Sequence, residues 1–311
     1  MRFEQFLRKL SGFVPVFSML PLVAGAATLE LQQVAEDIYA IVGPLDNRSP
    51  ENLGNNATFG FVVTTEGVVL IDPGGSHAGA AEIERTIMSV TDLPVKVVIN
   101  TGGQDHRWLG NGYFKAKGAK ILASAAAVAD QQERGRDQFM ALNETIGEQN
   151  LSGTEPVYAD ETFEDSHHFS LGGVEFELRL LGPAHTPGDS ILWLPGEKVV
   201  FTGDIVYVER MLGVGPQSNS GHWIGAFEAI AKLGPVAVVP GHGHATTLET
   251  ATTDTYDYLA FLRQAVTDFI DAGSGVEEIG NIDQSRFSYL QNFDSLKGRN
   301  AQQVFDELEW E

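Results

Sequence analysis

Five apolar stretches of this sequence lead directly into turns of small residues, and each of these turns carries a histidine or an aspartate. The stretches have the length and composition of buried β-strands and span residues 68–71, 95–99, 176–181, 198–201 and 236–239. The polar residues of the turns are Asp72, Asp105 with His106, His185, Asp204 and His242. Because strand ends can meet along one edge of a sheet, these side chains can converge there. Converging imidazoles and carboxylates are the donors that a divalent metal ion requires.

The rest of the chain alternates between strand and helix patterns. A β-hairpin is predicted over residues 57–72, with a Glu66-Gly67 turn, and a helix over 78–90 with Ser76 as its N-cap. Residues 124–149 are mostly polar and helix-prone, which favours an excursion over the site. Helical periodicity dominates from Thr253 to the end. This alternation predicts an α/β protein with a sheet core covered by helices.

The composition excludes several classes of function. The formal net charge of −22 repels phosphate backbones, so no nucleic-acid partner is expected. The chain has no cysteine, which excludes disulfides, thiolate ligands of zinc and a cysteine nucleophile. The charge alone does not identify a partner.

The N-terminus has the pattern of a secretory signal. Arg2, Arg8 and Lys9 precede an apolar stretch over residues 13–24, and small residues follow up to Ala27. The apolar stretch is too short to span a bilayer comfortably. We therefore predict a signal peptide over residues 1–27 and a periplasmic or secreted protein without stable membrane insertion after signal removal.

The motifs around the turns resemble those of the metallo-beta-lactamase superfamily, over about residues 57–248. The matching segments occur in the family's order and are Ile71-Asp72-Pro73-Gly74, Asp105-His106, His185-Thr186-Pro187-Gly188, Thr202-Gly203-Asp204 and Pro240-Gly241-His242-Gly243. The resemblance implies a four-layer αββα sandwich with metal at one edge. From the organisation of the chain we predict one domain over residues 28–250, with a C-terminal helical extension over 251–311 packed on it. The export signal and tail resemble an exported branch associated with quinoprotein-relay or sulfur-oxidation systems.

The first metal motif departs from the family pattern Thr-His-x-His-x-Asp-His. The segment Thr101-Gly102-Gly103-Gln104-Asp105-His106 lacks both early histidines. We therefore predict one ion rather than two, in the family's second site. The resemblance gives Asp105, His106, Asp204 and His242 as ligands, with His185 as a further metal neighbour, a group that orients water, or a remnant without a ligand role. Zinc is the expected ion, and iron or manganese also accepts these donors.

These expectations lead to a metallohydrolase. The substrate would be a small-molecule carbonyl compound, such as an ester, thioester, amide or lactam, attacked by metal-activated water. Asp105 and His185 are the candidate catalytic residues. The missing histidines motivate an alternative, a catalytically weak metal- or ligand-binding accessory protein of a periplasmic redox system. His244, two residues after His242, is a reserve ligand or substrate contact, and His222 is a candidate pocket residue.

Overall fold

The apolar stretches of the sequence form twelve β-strands in two sheets in the computed structural model, which describes residues 29–311. The predicted signal peptide lies outside the described residues. The first sheet has strand order β1-β2-β3-β4-β5-β6-β7 and the second β12-β11-β10-β9-β8. The strands are β1 Glu30–Ala35, β2 Ile38–Val42, β3 Thr58–Thr64, β4 Gly67–Ile71, β5 Val95–Asn100, β6 Lys120–Ser124, β7 Glu161–Phe163, β8 Ser166–Leu171, β9 Val174–Leu180, β10 Ser190–Leu194, β11 Val199–Phe201 and β12 Ala237–Val239.

Parallel strand pairs in both sheets are joined by helical connections. β1 to β4 pair antiparallel, with tight connections between β1 and β2 and between β3 and β4 and a long loop over residues 43–57 between β2 and β3, whereas β4 to β7 are parallel and are joined by helical segments. In the second sheet, only β11 and β12 pair in parallel, with α5 between them in the chain. In each of the parallel pairs β4–β5 and β11–β12, both strands therefore end at the same edge of their sheet, and the turns that follow begin there.

The helices cover the outer faces of both sheets. They are α1 His77–Met88, α2 Asn111–Lys115, α3 Ala125–Ile146, α4 Glu148–Leu151, α5 Ser220–Lys232, α6 Leu248–Ala251, α7 Asp257–Asp271 and α8 Phe293–Leu308. Ser76 caps α1, as predicted, by accepting a hydrogen bond from the Gly79 backbone N–H. Ser124 caps α3 in the same way through the Ala127 N–H. The polar stretch after residue 124 is thus one long helix followed by the short α4.

Three apolar layers hold these elements together. Between the sheets, side chains such as Val62 and Ile99 of the first sheet pack with Leu192 and Phe201 of the second. A second cluster joins the outer face of the first sheet to α1 and α2. A third joins the outer face of the second sheet to α5, α7 and α8. This confirms the four-layer αββα sandwich with a C-terminal helical extension.

The sequence prediction missed the first hairpin of the described chain. β1 and β2 precede residue 57, and half of the residues of β1 are exposed, so its apolar alternation is weak. No helix among residues 29–311 combines the length and the apolar character that crossing a membrane demands.

Candidate metal centre

Three buried side chains meet at one edge of the sandwich. His106 lies on a 3₁₀ turn, Asp105–Arg107, shortly after β5, and Asp204 lies on a second turn, Gly203–Ile205, after β11. His242 follows β12. One donor atom from each of the three lies within 4.8 Å of the others. Nε2 of His106 is 3.2 Å from Oδ2 of Asp204, and Nε2 of His242 is 3.3 Å from Oδ1 of the same carboxylate.

Glycines bring the turns close enough for this convergence. A Cβ atom on Gly241 would lie 2.4 Å from the carbonyl oxygen of Gly203, closer than real side chains allow. Gly203 itself has a φ of 49°, in the left-handed region. The Gly241 N–H donates to the carbonyl of Val206 at 2.8 Å, which fixes the turn after β12 against the turn after β11. Gly203 and Gly241 thus allow the backbones of the two turns to lie in direct contact.

The geometry of both histidines fits a metal ligand. Nδ1 of His242 is 2.9 Å from the backbone carbonyl of Asn56, so Nδ1 carries the proton and Nε2 presents a lone pair. Burial lowers the pKa of His242 well below its ordinary value, which keeps the ring neutral. Nε2 of His106 is buried and has no hydrogen-bond partner, although it faces Asp204. The site thus contains a buried Nε2 of His106 without a partner, the free Nε2 of His242 and the carboxylate of Asp204. A divalent ion would satisfy all three groups.

Asp105 lies outside this group of three. Its carboxylate forms an ion pair with Arg48, and its Oδ1 lies 3.1 Å from Nδ1 of His106. Burial opposes ionisation of this carboxyl, but Arg48 and His106 outweigh burial and lower the pKa of Asp105 far below its usual range. Arg48 Nη2 is also 2.6 Å from His106 Nδ1, and would need that nitrogen as an acceptor. Arg48 and Asp105 therefore require opposite tautomers of His106. Only the tautomer whose Nδ1–H donates to Asp105 leaves the Nε2 lone pair free for a metal.

Arg107 supplies a buried positive charge behind the three donors. Its guanidinium is fully buried and binds both oxygens of Asp204, at 2.6 and 3.2 Å, and Asp72 Oδ2 at 2.9 Å. It also donates to the carbonyls of Thr58 and Gly241. Burial opposes ionisation of Asp204, but Arg107 and His106 lower the pKa of Asp204 well below its ordinary value. The carboxylate is therefore ionised near pH 7.

Asp72 holds the turn after β4. Its carboxylate accepts hydrogen bonds from the Thr101 N–H and hydroxyl, both at 2.8 Å. These bonds connect the ends of β4 and β5, and Arg107 binds the same carboxylate. Asp72 therefore contacts the site only through Arg107.

A pocket lies beside the three donors, and His185 is one of its lining residues. His185 is not part of the group formed by the three donors. Nδ1 of His185 is 3.0 Å from the Gly213 carbonyl, so the ring donates there and presents Nε2 as an acceptor. Its ring packs edge-on against Trp223. Burial lowers the pKa of His185 to about 4, although the nearby charge of Asp204 partly offsets this effect. His185 is therefore neutral near pH 7.

The pocket beside the three donors has a volume of about 220 Å³. The stacked rings of Tyr207 and His242, 4.6 Å apart, form part of its wall. Its lining also includes Arg48, Arg210 and Arg299, none of which the sequence motifs indicated. Two other sequence candidates lie elsewhere. Both ring nitrogens of His244 face glutamates, and His222 is exposed on α5, so neither lines this pocket.

The neutral state of His185 predicts a loss of stability in acid. An unfolded chain protonates this imidazole near pH 6.5, while the folded chain does so only near pH 4, so the free energy of unfolding falls as pH falls between these values. In urea unfolding of chelator-treated protein, we expect His185→Gln to lose about 1–2 kcal/mol less than the parent between about pH 7 and about pH 5. His168→Gln, on the exposed side of β8, is the matched control. Equal losses in the parent and His185→Gln would contradict the prediction.

Known proteins resemble this chain in sequence. The sequence model of the metallo-beta-lactamase superfamily matches residues 54–242. The chain is 24% identical to metallo-beta-lactamase IND-1 of Chryseobacterium indologenes over 186 residues, which cover 58% of this chain and 70% of that protein. Arg48 and Arg299 lie outside the region that the family model matches.

Solved structures share the fold. A metallo-beta-lactamase from Pontibacter korlensis aligns with a TM-score of 0.60 and 20% identity, covering 75% of this chain and 99% of that one. The inverting sec-alkylsulfatase Pisa1 from Pseudomonas sp. aligns with a TM-score of 0.67 and 20% identity. That alignment covers 89% of this chain but only 50% of the alkylsulfatase.

Proposed function

Because the chain belongs to the metallo-beta-lactamase superfamily, we propose that it is a metal-dependent hydrolase with one divalent ion held by His106, Asp204 and His242. The observation that carries this proposal is the buried group of these three side chains, whose donor atoms lie within 4.8 Å of one another. Two imidazoles and one ionised carboxylate form a donor set that leaves positions open for substrate and water. Zinc, iron and manganese all accept such a set.

The residues around the donors divide the remaining tasks. When bound, the ion would polarise a substrate carbonyl and make water more acidic. His185 is neutral and lines the pocket, and its Nε2 is left as an acceptor because Nδ1 donates to the Gly213 carbonyl, so it is the candidate group to accept a proton from attacking water. Asp105 is a weak base because Arg48 stabilises its ionised form. We propose that Asp105 orients His106 through Nδ1 rather than taking a proton.

A single ion agrees with the sequence before His106. Counted without a gap from Thr101, the family pattern places its two early histidines at Gly102 and Gln104, neither of which is a good zinc ligand. Space is also limited there, because a Cβ atom on Gly102 would lie 2.6 Å from Asp189 Oδ1. Of the first site's usual donors, only His185 is then left.

The substrate we propose is a small-molecule carbonyl compound, such as an ester, thioester, amide or lactam. A pocket of about 220 Å³ suits a small molecule or one end of a larger one. The acidic surface of the chain argues against nucleic acid. The secretory pattern over residues 1–27 supports export to the periplasm or beyond.

Metal analysis joined to a hydrolysis screen tests this proposal. Protein purified without a histidine tag should hold about one ion per chain, in line with a single set of three donors. The loaded protein should hydrolyse at least one of a panel of esters, thioesters and lactams, and a chelator should abolish the activity. A bound ion without turnover on the panel would instead favour the accessory role. Absence of any bound ion after reconstitution would refute the proposed centre.

A further inference from the structure

The pocket beside the metal centre is positively charged in a strongly acidic protein. Three arginines line it, Arg48, Arg210 and Arg299, and no aspartate or glutamate is among its lining residues. The whole chain carries a formal charge of −22. A concentration of one sign of charge in a cleft, against the net charge of the surface, focuses the local potential on ligands of the opposite sign.

The arginines are not equivalent, because Arg48 already has a counterion. It pairs with Asp105 and is partly exposed. This pair is electrically neutral as a unit. Any excess positive charge of the pocket therefore comes from Arg210 and Arg299.

Arg210 is a buried cation without a carboxylate partner in the described part of the chain. Only 9% of its surface is exposed. Its Nη atoms donate to neutral groups, the Asp46 backbone carbonyl at 3.0 Å and Asn47 Oδ1 at 3.3 Å, and its buried Nε has no partner. Burial lowers the pKa of Arg210, and the nearby Arg48 adds to this effect. Burying a charge without an opposite charge is costly, and such an arginine is typical of a site that a ligand anion completes.

Arg299 comes from α8 and is held at the pocket by its neighbour. Asn300 is fully buried, accepts a hydrogen bond from the Val214 N–H at 2.8 Å and donates one to the Leu212 carbonyl at 2.8 Å. These bonds attach α8 to the segment after Arg210. Arg299 is exposed and forms no ion pair with any of residues 29–311. Its long side chain is thus free to close over a ligand from the open side.

From this arrangement we infer that the pocket binds an anionic group of the substrate, a carboxylate, sulfate or phosphate oxyanion, between Arg210 and Arg299. The guanidinium groups match the geometry of oxyanions and form charge-assisted hydrogen bonds with them. The inference deepens the proposed function by naming a substrate class, and it rests on that function only for hydrolysis, since anion binding itself needs no ion at the centre. The anion would lie beside the donors, with the scissile carbonyl toward His106 and His242.

Calorimetric titration of chelator-treated protein tests the binding step. The probes are sodium phosphate, sodium sulfate and sodium succinate, with neutral succinamide as the control ligand. We expect saturable binding of at least one oxyanion, none of succinamide, and a loss of affinity of at least about tenfold in Arg299→Gln. Arg85→Gln, on the exposed face of α1, is the matched control and should bind like the parent. The ranking of the probes distinguishes carboxylate from tetrahedral oxyanions.

A second variant guards against misfolding at the buried position. Arg210→Lys keeps the positive charge but loses the planar pair of N–H donors of the guanidinium. We expect this variant to bind the oxyanion more weakly than the parent while its circular dichroism spectrum stays unchanged. Equal affinity in the parent and Arg299→Gln, or binding that appears only after metal is restored, would overturn the inference. In the metal-loaded protein, Arg299→Gln should slow hydrolysis of p-nitrophenyl succinate relative to p-nitrophenyl acetate. Anion binding without any hydrolysis would refute the proposed function and leave the inference standing.

Discussion

Replacement of Arg107 by methionine is expected to lower the free energy of unfolding by about 3–5 kcal/mol. The guanidinium is fully buried and neutralises Asp72 and Asp204 at once, in addition to two backbone carbonyls. Methionine fills similar space but leaves both buried carboxylates without a counterion. Urea unfolding of metal-free protein near pH 7 measures the loss.

Two further variants identify the cause of this loss. Arg85→Met removes an arginine whose side chain is 66% exposed and should change stability by less than about 0.5 kcal/mol. Combining Arg107→Met with Asp72→Asn removes one of the two stranded charges and should recover part of the stability. If the double variant is less stable than Arg107→Met alone, the loss comes from packing rather than from uncompensated charge.

Replacement of His242 by alanine is expected to remove the bound ion and to reduce hydrolysis by at least about 100-fold. The centre has three donors, so the variant leaves only His106 and Asp204, and two donors hold a divalent ion weakly. Elemental analysis after dialysis and kcat/KM on the best substrate of the screen measure the two effects.

His244→Ala is a closely matched control for this experiment. His244 lies two residues further along, is partly exposed and contacts Glu209 and Glu30 instead of the donors. It should retain about one ion per chain and an activity within about twofold of the parent. Full metal occupancy in His242→Ala would show that the ion is held by other residues. A loss of metal in both variants would indicate a general disturbance of the segment after β12.

Local patterns in the sequence were sufficient to predict most of the fold. The apolar runs that became β4, β5 and β11 are short, continuous and bounded by turn residues, and Ser76 precedes a helical pattern. The hairpin β1–β2 was missed because half of the residues of β1 are exposed and its apolar alternation is weak. Its place in the sheet depends on pairing with β2, which a local pattern does not encode.

The candidate site was predicted in part. The structure brings together His106, Asp204 and His242, whereas Asp105 and His185 lie outside that group. Counting the family pattern from Thr101 without a gap would have assigned its aspartate position to His106 and its last histidine position to Arg107. The family pattern ends in Asp-His, and the sequence also contains Asp-His, at Asp105-His106, but one position earlier than the count from Thr101 requires. Alignment on this dipeptide therefore hides the difference of one residue. Whether Asp105 or His185 contacts an ion stays a prediction.

The arginines of the pocket had no local signal. Arg48, Arg210 and Arg299 lie in three segments far apart in the chain, none of which has a recognisable motif. Their convergence depends on tertiary contacts, such as the Asn292 side chain donating to the Leu45 carbonyl at 3.1 Å and Gln291 donating to Asp46 Oδ1 at 3.0 Å. The positive charge of the pocket becomes apparent only in the folded protein, where α8 packs beside the loops that carry Arg48 and Arg210.

The attachment of α8 to these loops has a consequence for how such a protein can diversify. α8 provides no donor to the centre, yet it places Arg299 at the pocket, while Asn292 and Asn300 bind α8 to the neighbouring loops. Substitutions at the pocket end of α8 can therefore alter which molecules are admitted while the donors of the centre stay in place. In this chain selectivity and reactivity are carried by separable pieces of the polypeptide, so one can be retuned without the other.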